Sequence, residues 1–224
     1  MQCLVRKQYD VPEIRGAFAD APDRYYLSLI ERGKRPLIVD GGANIGASAL
    51  WFATRFPGSH IVAIEPAPDN YSLLCENLRD FDVDARQVGL SASSGHAVLT
   101  DPGYGPWAYR TEPVLSGGEI SMITLASLLS SAASEQCAPF ILKLDIEGSE
   151  AGMFDDTGNP ARTFPIIIIE PHDWMLPGEG SSRSFFRFHA ESGRDFLSRG
   201  ENVFSIDLAL IEQALGRQHE GAHV

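Results

Sequence analysis

Short, almost purely apolar runs recur along this chain with helical periodicity between them: Leu37-Ile38-Val39, Ile61-Val62-Ala63-Ile64, Phe140-Ile141-Leu142-Lys143-Leu144 and Ile166-Ile167-Ile168-Ile169. A strand that lacks polar alternation has both faces buried, which implies a parallel sheet covered by helices on either side. Between the first two runs, Ile45, Ala49, Phe52, Ala53 and Phe56 recur at helical spacing, and Pro57-Gly58 stops the pattern. A second helix is expected over residues 68–78, with Tyr71, Leu74 and Leu78 on its buried side. These are β-α-β units, whose crossovers are right-handed. The expected fold is therefore α/β, with a mostly parallel, doubly wound sheet.

The flanks read differently. Tyr25, Tyr26, Leu29 and Ile30 form an apolar stripe on a helix ending at Gly33, so residues 1–35 are expected to be an N-terminal cap segment over the sheet. Residues 101–119 carry Pro, Gly, Tyr104, Trp107, Tyr109 and Arg110 without a period, and are expected to form a long surface loop, either a lid over the active site or a disordered segment. Residues 194–199 and 202–206 read as strands joined through Gly200-Glu201, an antiparallel hairpin closing one sheet edge. The main domain is then 36–215, followed by a mobile tail over 216–224. In that tail His219 and His223 read as solvated polar residues rather than metal ligands.

A chain of 224 residues, 44% hydrophobic, can bury one sizeable core. Its net charge of -12 argues against a nucleic-acid partner, because affinity for phosphate backbones comes mainly from Lys and Arg. Cys3, Cys75 and Cys137 form no C-x-x-C pair, which fits a reducing compartment. No apolar run reaches the length of a membrane span, and the first residues lack the apolar core of a signal peptide. A soluble, cytoplasmic protein is expected.

The chemistry concentrates after the first strand, in Val39-Asp40-Gly41-Gly42-Ala43-Asn44-Ile45-Gly46. Glycines between a strand and a helix let backbone approach a ligand at the helix N-terminus. A dinucleotide turn reads G-x-G-x-x-G, but here Asn44 takes the place of a glycine. Asp40 would repel a pyrophosphate, whereas it can bind the ammonium of a methionine moiety. That favours S-adenosylmethionine over NAD. Glu65, ending the second strand, stands where a carboxylate can accept hydrogen bonds from ribose hydroxyls. The alternative for Glu65 is a cap on the helix opening near Pro68.

Three segments in order, residues 39–46, then Glu65-Pro66-Ala67-Pro68-Asp69-Asn70, then Lys143-Leu144-Asp145-Ile146-Glu147-Gly148-Ser149-Glu150, resemble the V-D-x-G-A-N-x-G, E-P-x-P-x-N and K-x-D-x-E-G-x-E motifs of the FkbM-type S-adenosylmethionine-dependent methyltransferases. The likeness runs from about Leu37 to Asn202-Val203-Phe204. It implies a Rossmann-like, class I methyltransferase fold and O-methylation of a hydroxyl on a natural product or sugar. It also implies that Asp40, Gly42, Asn44 and Gly46 surround the methionine end of the cofactor while Glu65 holds the ribose. One departure is Thr124-Leu125-Ala126-Ser127-Leu128, where the family often has T-L-D-D-L.

In an open α/β sheet ligands sit at the carboxyl ends of the strands, where Asp145, Glu147, Glu170, His172 and Asp173 are expected to gather. Methyl transfer to an alcohol requires alignment, exclusion of water and removal of a proton. A neutral His172 near its ordinary pKa is the first candidate base and Asp145 the second; the alternative for His172 is a loop-stabilising histidine bonded to Asp173 or a carbonyl. Asp145 with neighbouring carboxylates could also hold Mg²⁺. Trp174-Met175-Leu176-Pro177-Gly178, with Trp107 and Tyr109, could wall an apolar acceptor pocket. The competing expectation is a non-catalytic S-adenosylmethionine-binding module, motivated by the altered segment at 124–128.

Overall fold

The computed structural model describes residues 17–100, 110–114, 117–147, 149–155, 158–174 and 177–216. The expectations placed on Tyr104, Trp107, Tyr109, Met175, Leu176, His219, His223 and the 217–224 tail lie outside those residues.

Helix α1 (Ala17–Glu31) leads to strand β1 (Arg35–Gly41), α2 (Ala47–Arg55), β2 (His60–Ile64), α3 (Pro68–Leu78) and β3 (Val83–Arg86). A small excursion follows, β4 (Gly89–Leu90), β5 (Gly95–Thr100), β6 (Arg110–Val114) and β7 (Ile120–Ile123). The chain returns through α4 (Leu125–Ser134), β8 (Cys137–Leu144), β9 (Ile166–Ile169), α5 (Arg183–Glu191), the hairpin β10 (Asp195–Arg199) and β11 (Asn202–Ile206), and α6 (Leu208–Ala214).

The main sheet has the order β10-β11-β9-β8-β1-β2-β3. Strands β3, β2, β1, β8 and β9 are mutually parallel, while β11 and β10 run antiparallel at one edge. This is a Rossmann-like arrangement, and its antiparallel edge is the expected hairpin.

The apolar runs are continuous because each face of the sheet has its own core. Ile38, Ile61, Ala63, Ile141, Ile166 and Ile168 point to the layer built by Tyr25 and Leu29 of α1, Phe52 of α2, Leu74 and Leu78 of α3 and Ile211 of α6. Leu37, Val39, Val62, Ile64, Leu142, Leu144, Ile167 and Ile169 point to the layer built by Leu125 and Leu128 of α4 and Phe185 and Phe188 of α5. Neighbouring residues of one strand thus serve opposite cores, so polar alternation is missing and Lys143 is the one charged residue within these runs.

Two expectations change. Residues 110–114 are not loop: β6 pairs antiparallel with β5, from His96 opposite Val114 to Thr100 opposite Arg110, in a four-stranded sheet ordered β4-β7-β5-β6. Pro113 and Glu112 hid it, and both suit an edge strand, where one row of backbone groups needs no partner. The altered segment at 124–128 opens α4: Thr124 Oγ1 accepts from Ser127 N at 3.1 Å, and Ser127 Oγ donates back to Thr124 O at 2.8 Å. It is a helix start, and its leucines belong to the second core.

Candidate active site

The backbone ladder continues past the strand ends and fixes the loops that follow. Gly42 N and Ala43 N donate to Ile64 O, Asp145 N to Gly41 O, and Glu170 N to Leu144 O, all at 2.9–3.0 Å. The turn after β1 is therefore pressed against the chain leaving β8. Gly42 has φ +73° and a methyl group there would lie 1.7 Å from the Asp145 carbonyl oxygen, so only glycine fits. Gly46, at φ +85°, begins α2 in contact with Leu74 and Leu78 of α3. It sets helix packing and is not among the residues lining the cleft.

The cleft formed at these strand ends opens to solvent. Gly42, Asn44, Glu65, Pro66, Asn70, Asp145 and Glu147 line it together with Gly89, Leu90 and Thr111 from the small sheet. The excursion between β3 and α4 thus supplies one wall, which no periodicity announced.

Glu65 is 5% exposed. Its Oε1 accepts from Ala67 N and its Oε2 from Asn44 N, each at 2.9 Å. Asn44 reaches this position in the left-handed region, φ +50°, which asparagine tolerates better than most residues. Burial pushes the Glu65 carboxyl up, while these two amides, Asn70 and Lys143 oppose the rise. The cap expected as an alternative for Glu65 is thus present in the same side chain that lines the cleft.

Asp40 requires a correction. Rather than standing open to a ligand ammonium, it is wholly buried: Ser48 Oγ donates to its Oδ2 at 2.5 Å, and Lys143 Nζ lies 3.2 Å from its Oδ1. The register explains this, because Asp40 and Lys143 are direct partners across β1 and β8. Lys143 also reaches Gly42 O at 3.3 Å and Asp145 Oδ2 at 3.4 Å. The aspartate that lines the cleft is Asp145.

The ends of β8 and β9 bring a second group together. His172, 1% exposed, has its Nδ1 2.9 Å from Glu150 Oε1, and Ile146 N donates to the same oxygen at 3.2 Å. Its Nε2 faces Glu147 Oε2 at 3.5 Å, Asp145 Oδ1 at 3.6 Å and Glu170 Oε1 at 3.9 Å. Glu147 is in the left-handed region at φ +53°. Burial pushes Glu147 up to about 7, opposed by His172 and Arg110 and reinforced by Asp145 and Glu150. Burial likewise raises Glu170 to about 7, with Asp145 adding to the rise.

Burial by itself would lower the His172 pKa, but the bond to Glu150 and the charges of Glu150, Glu147 and Asp145 outweigh it and hold the imidazole at about 9. These charges favour the imidazolium over the neutral histidine expected from the sequence. Its partner is Glu150, not Asp173, which instead accepts from Ser182 Oγ. Trp174 is 62% exposed and is not among the residues lining the cleft. Lys143 and Glu150 were not singled out as site residues. The spacing Lys143-Leu144-Asp145 was the signal for the first, since alternate residues share a strand face.

A family model described as the methyltransferase FkbM domain matches residues 40–198. Methyltransferase sdnD of Sordaria araneosa is 46% identical over 69 residues, which are 29% of this chain and 27% of that protein. The hexuronic acid methyltransferase AglP of Haloferax volcanii is 27% identical over 176 residues, 77% of this chain and 70% of that protein. Among solved structures, a putative O-methyltransferase from Klebsiella pneumoniae aligns over 91% of this chain and 87% of its own, with 13% identity and a TM-score of 0.45.

Proposed function

The chain belongs to the FkbM methyltransferase family, and on that premise we propose that it is an S-adenosylmethionine-dependent O-methyltransferase acting on a hydroxyl of a small molecule or sugar. The observation that carries this reading is that one cleft is lined both by the glycine turn with Glu65 and by the carboxylates Asp145 and Glu147. The first set suits a nucleoside with a charged tail, the second a reacting hydroxyl. The similarity to a hexuronic acid methyltransferase favours a sugar acceptor.

S-adenosylmethionine, when bound, supplies a methyl group on a sulfonium, whose S–CH3 bond breaks as the new O–CH3 bond forms. The residues of this chain bind and align. Glu65, already tied to Asn44 and Ala67, presents a preorganised carboxylate to the ribose hydroxyls. Gly42 and Asn44 bring backbone to the methionine end; Asp40 and Gly46 support that turn from beneath, Asp40 through Lys143 and Gly46 through α3. Asp145, with Glu147 and Glu170 beside it, receives the proton of the acceptor hydroxyl. Glu147 and Glu170, which burial holds near 7, suit the task of taking that proton onward at neutral pH. His172, as a cation among them, steadies their charge.

The test is calorimetry with S-adenosylhomocysteine, followed by mass spectrometry of a hydroxylated-acceptor panel incubated with methyl-labelled cofactor. One binding site is expected, and Glu65→Ala should weaken it roughly 10–100-fold, the loss expected for one or two hydrogen bonds to a charged group. Wild-type affinity in that variant would remove the ribose assignment. Binding without any methylated product across the panel would favour a binding module that has lost catalysis.

A further inference from the structure

The group around His172 has features that a self-satisfied ion cluster lacks. Four carboxylates, Asp145, Glu147, Glu150 and Glu170, face one imidazole. Only Glu150 meets it at hydrogen-bond distance, through Nδ1. The separations from Nε2 to the other three, 3.5, 3.6 and 3.9 Å, are longer than a normal hydrogen bond. Glu147 Oε2 is buried and has no hydrogen-bond partner among the described residues, nor has Glu150 Oε2. A buried carboxylate oxygen and a 1%-exposed imidazole nitrogen thus face one another at ion-pair distance, 3.5 Å, with no hydrogen bond between them, which leaves the oxygen's hydrogen-bonding capacity unmet.

We infer that Asp145, Glu147 and His172 form a binding site for a divalent first-row transition ion of the Mn²⁺ class. One donor atom from each lies within 4.8 Å of the others. Ligands about 2.0–2.2 Å from a common ion stand roughly 3–4 Å apart, which is the spacing seen from Nε2. Asp145 divides its oxygens, with Oδ2 toward Lys143 and Oδ1 toward the imidazole, so one remains available. Glu150 completes the arrangement by holding Nδ1, as carboxylates behind metal-bound histidines do, and the ion takes the place of the proton that Nε2 carries without it, which is released on binding. Glu170 stands at the margin as a further oxygen donor.

Mixed nitrogen and oxygen ligands select the metal. Mg²⁺ takes oxygen almost exclusively, whereas an imidazole beside carboxylates suits Mn²⁺, Fe²⁺ or Zn²⁺. Asp145 and Glu147 also line the cleft, so the ion would be reachable by an acceptor hydroxyl; that role rests on the methyltransferase reading, while the site itself rests on the geometry.

The experiment uses the full chain, stripped with EDTA and desalted, titrated with Mn²⁺ under calorimetry and electron paramagnetic resonance. One saturable Mn²⁺ per chain is expected, bound at least about tenfold tighter than Mg²⁺. Glu150→Gln should weaken it about 10–100-fold without touching the ion. Glu147→Gln and Asp145→Asn, mild changes at partly open positions, should weaken it as well and keep the test valid if His172→Gln fails to fold. Absence of saturable binding, indifference to both mild variants, or equal affinity for Mg²⁺ would each overturn the assignment. S-adenosylhomocysteine titrated in parallel separates the two readings: its binding without Mn²⁺ sinks the metal site alone, and Mn²⁺ binding without it sinks the methyltransferase reading alone.

Discussion

Gly42 carries the tightest steric constraint among the residues of the cleft. A β-carbon there would collide with the Asp145 carbonyl oxygen in a backbone conformation, φ +73°, that L side chains rarely adopt. Gly42→Ala should therefore destabilise the protein by about 2–4 kcal/mol, combining overpacking with the left-handed penalty. It should also separate the β1 turn from Asp145 and weaken S-adenosylhomocysteine binding. Thermal melts and calorimetry on the one variant test both, and an unshifted melting temperature would contradict the close approach. The sequence announced this glycine, because a strand-to-helix turn with spaced glycines has few other uses. It misplaced Asp40, whose carboxylate turned inward because Lys143 sits directly across the ladder. No reading along one strand reveals what its neighbour contributes.

At the scale of the element, α4 separates folding from function. Its opening Thr124 caps the helix through Ser127, and Leu125 and Leu128 fill the second core. Thr124→Ala should cost about 1 kcal/mol, the usual value of a lost N-cap, and leave S-adenosylhomocysteine affinity unchanged. Denaturant melts beside calorimetry would show this, and a parallel loss of affinity would return the segment to the site. The long strands and helices α2 and α3 were legible because burial on both faces or on one stripe prints directly as hydrophobic pattern. The small sheet was not. Strand β4 has two residues, and β6 carries Arg110, Glu112 and Pro113 on an edge, so neither holds enough buried surface to print a period. Yet Gly89, Leu90 and Thr111 of that sheet wall the cleft.

For the whole molecule the consequence is a pH profile of unusual sign. His172 is raised to about 9, so its contribution is present in full below about 6.5 and is lost as pH climbs through 9. Glu147 and Glu170 are raised to about 7, so folding favours their protonated forms and is penalised as pH rises from about 4.5 through 7. All three act in one direction. Melting temperatures of the EDTA-stripped protein should fall steadily from pH 5 to pH 9, with Glu147→Gln flattening the lower half of that range. A profile rising toward neutrality would show that these carboxyls ionise freely in the fold. The runs at 37–39, 61–64, 140–144 and 166–169, the turn after β1 and the hairpin at the far edge were determined by the sequence alone, because hydrophobic period, glycine conformation and turn spacing are local properties. The tertiary structure decided which charges meet. It paired Asp40 with Lys143, turned Glu150 onto His172 and left Glu147 facing an imidazole without a hydrogen bond, since electrostatic environment depends on neighbours far apart in the chain and brought together only by the packed sheet.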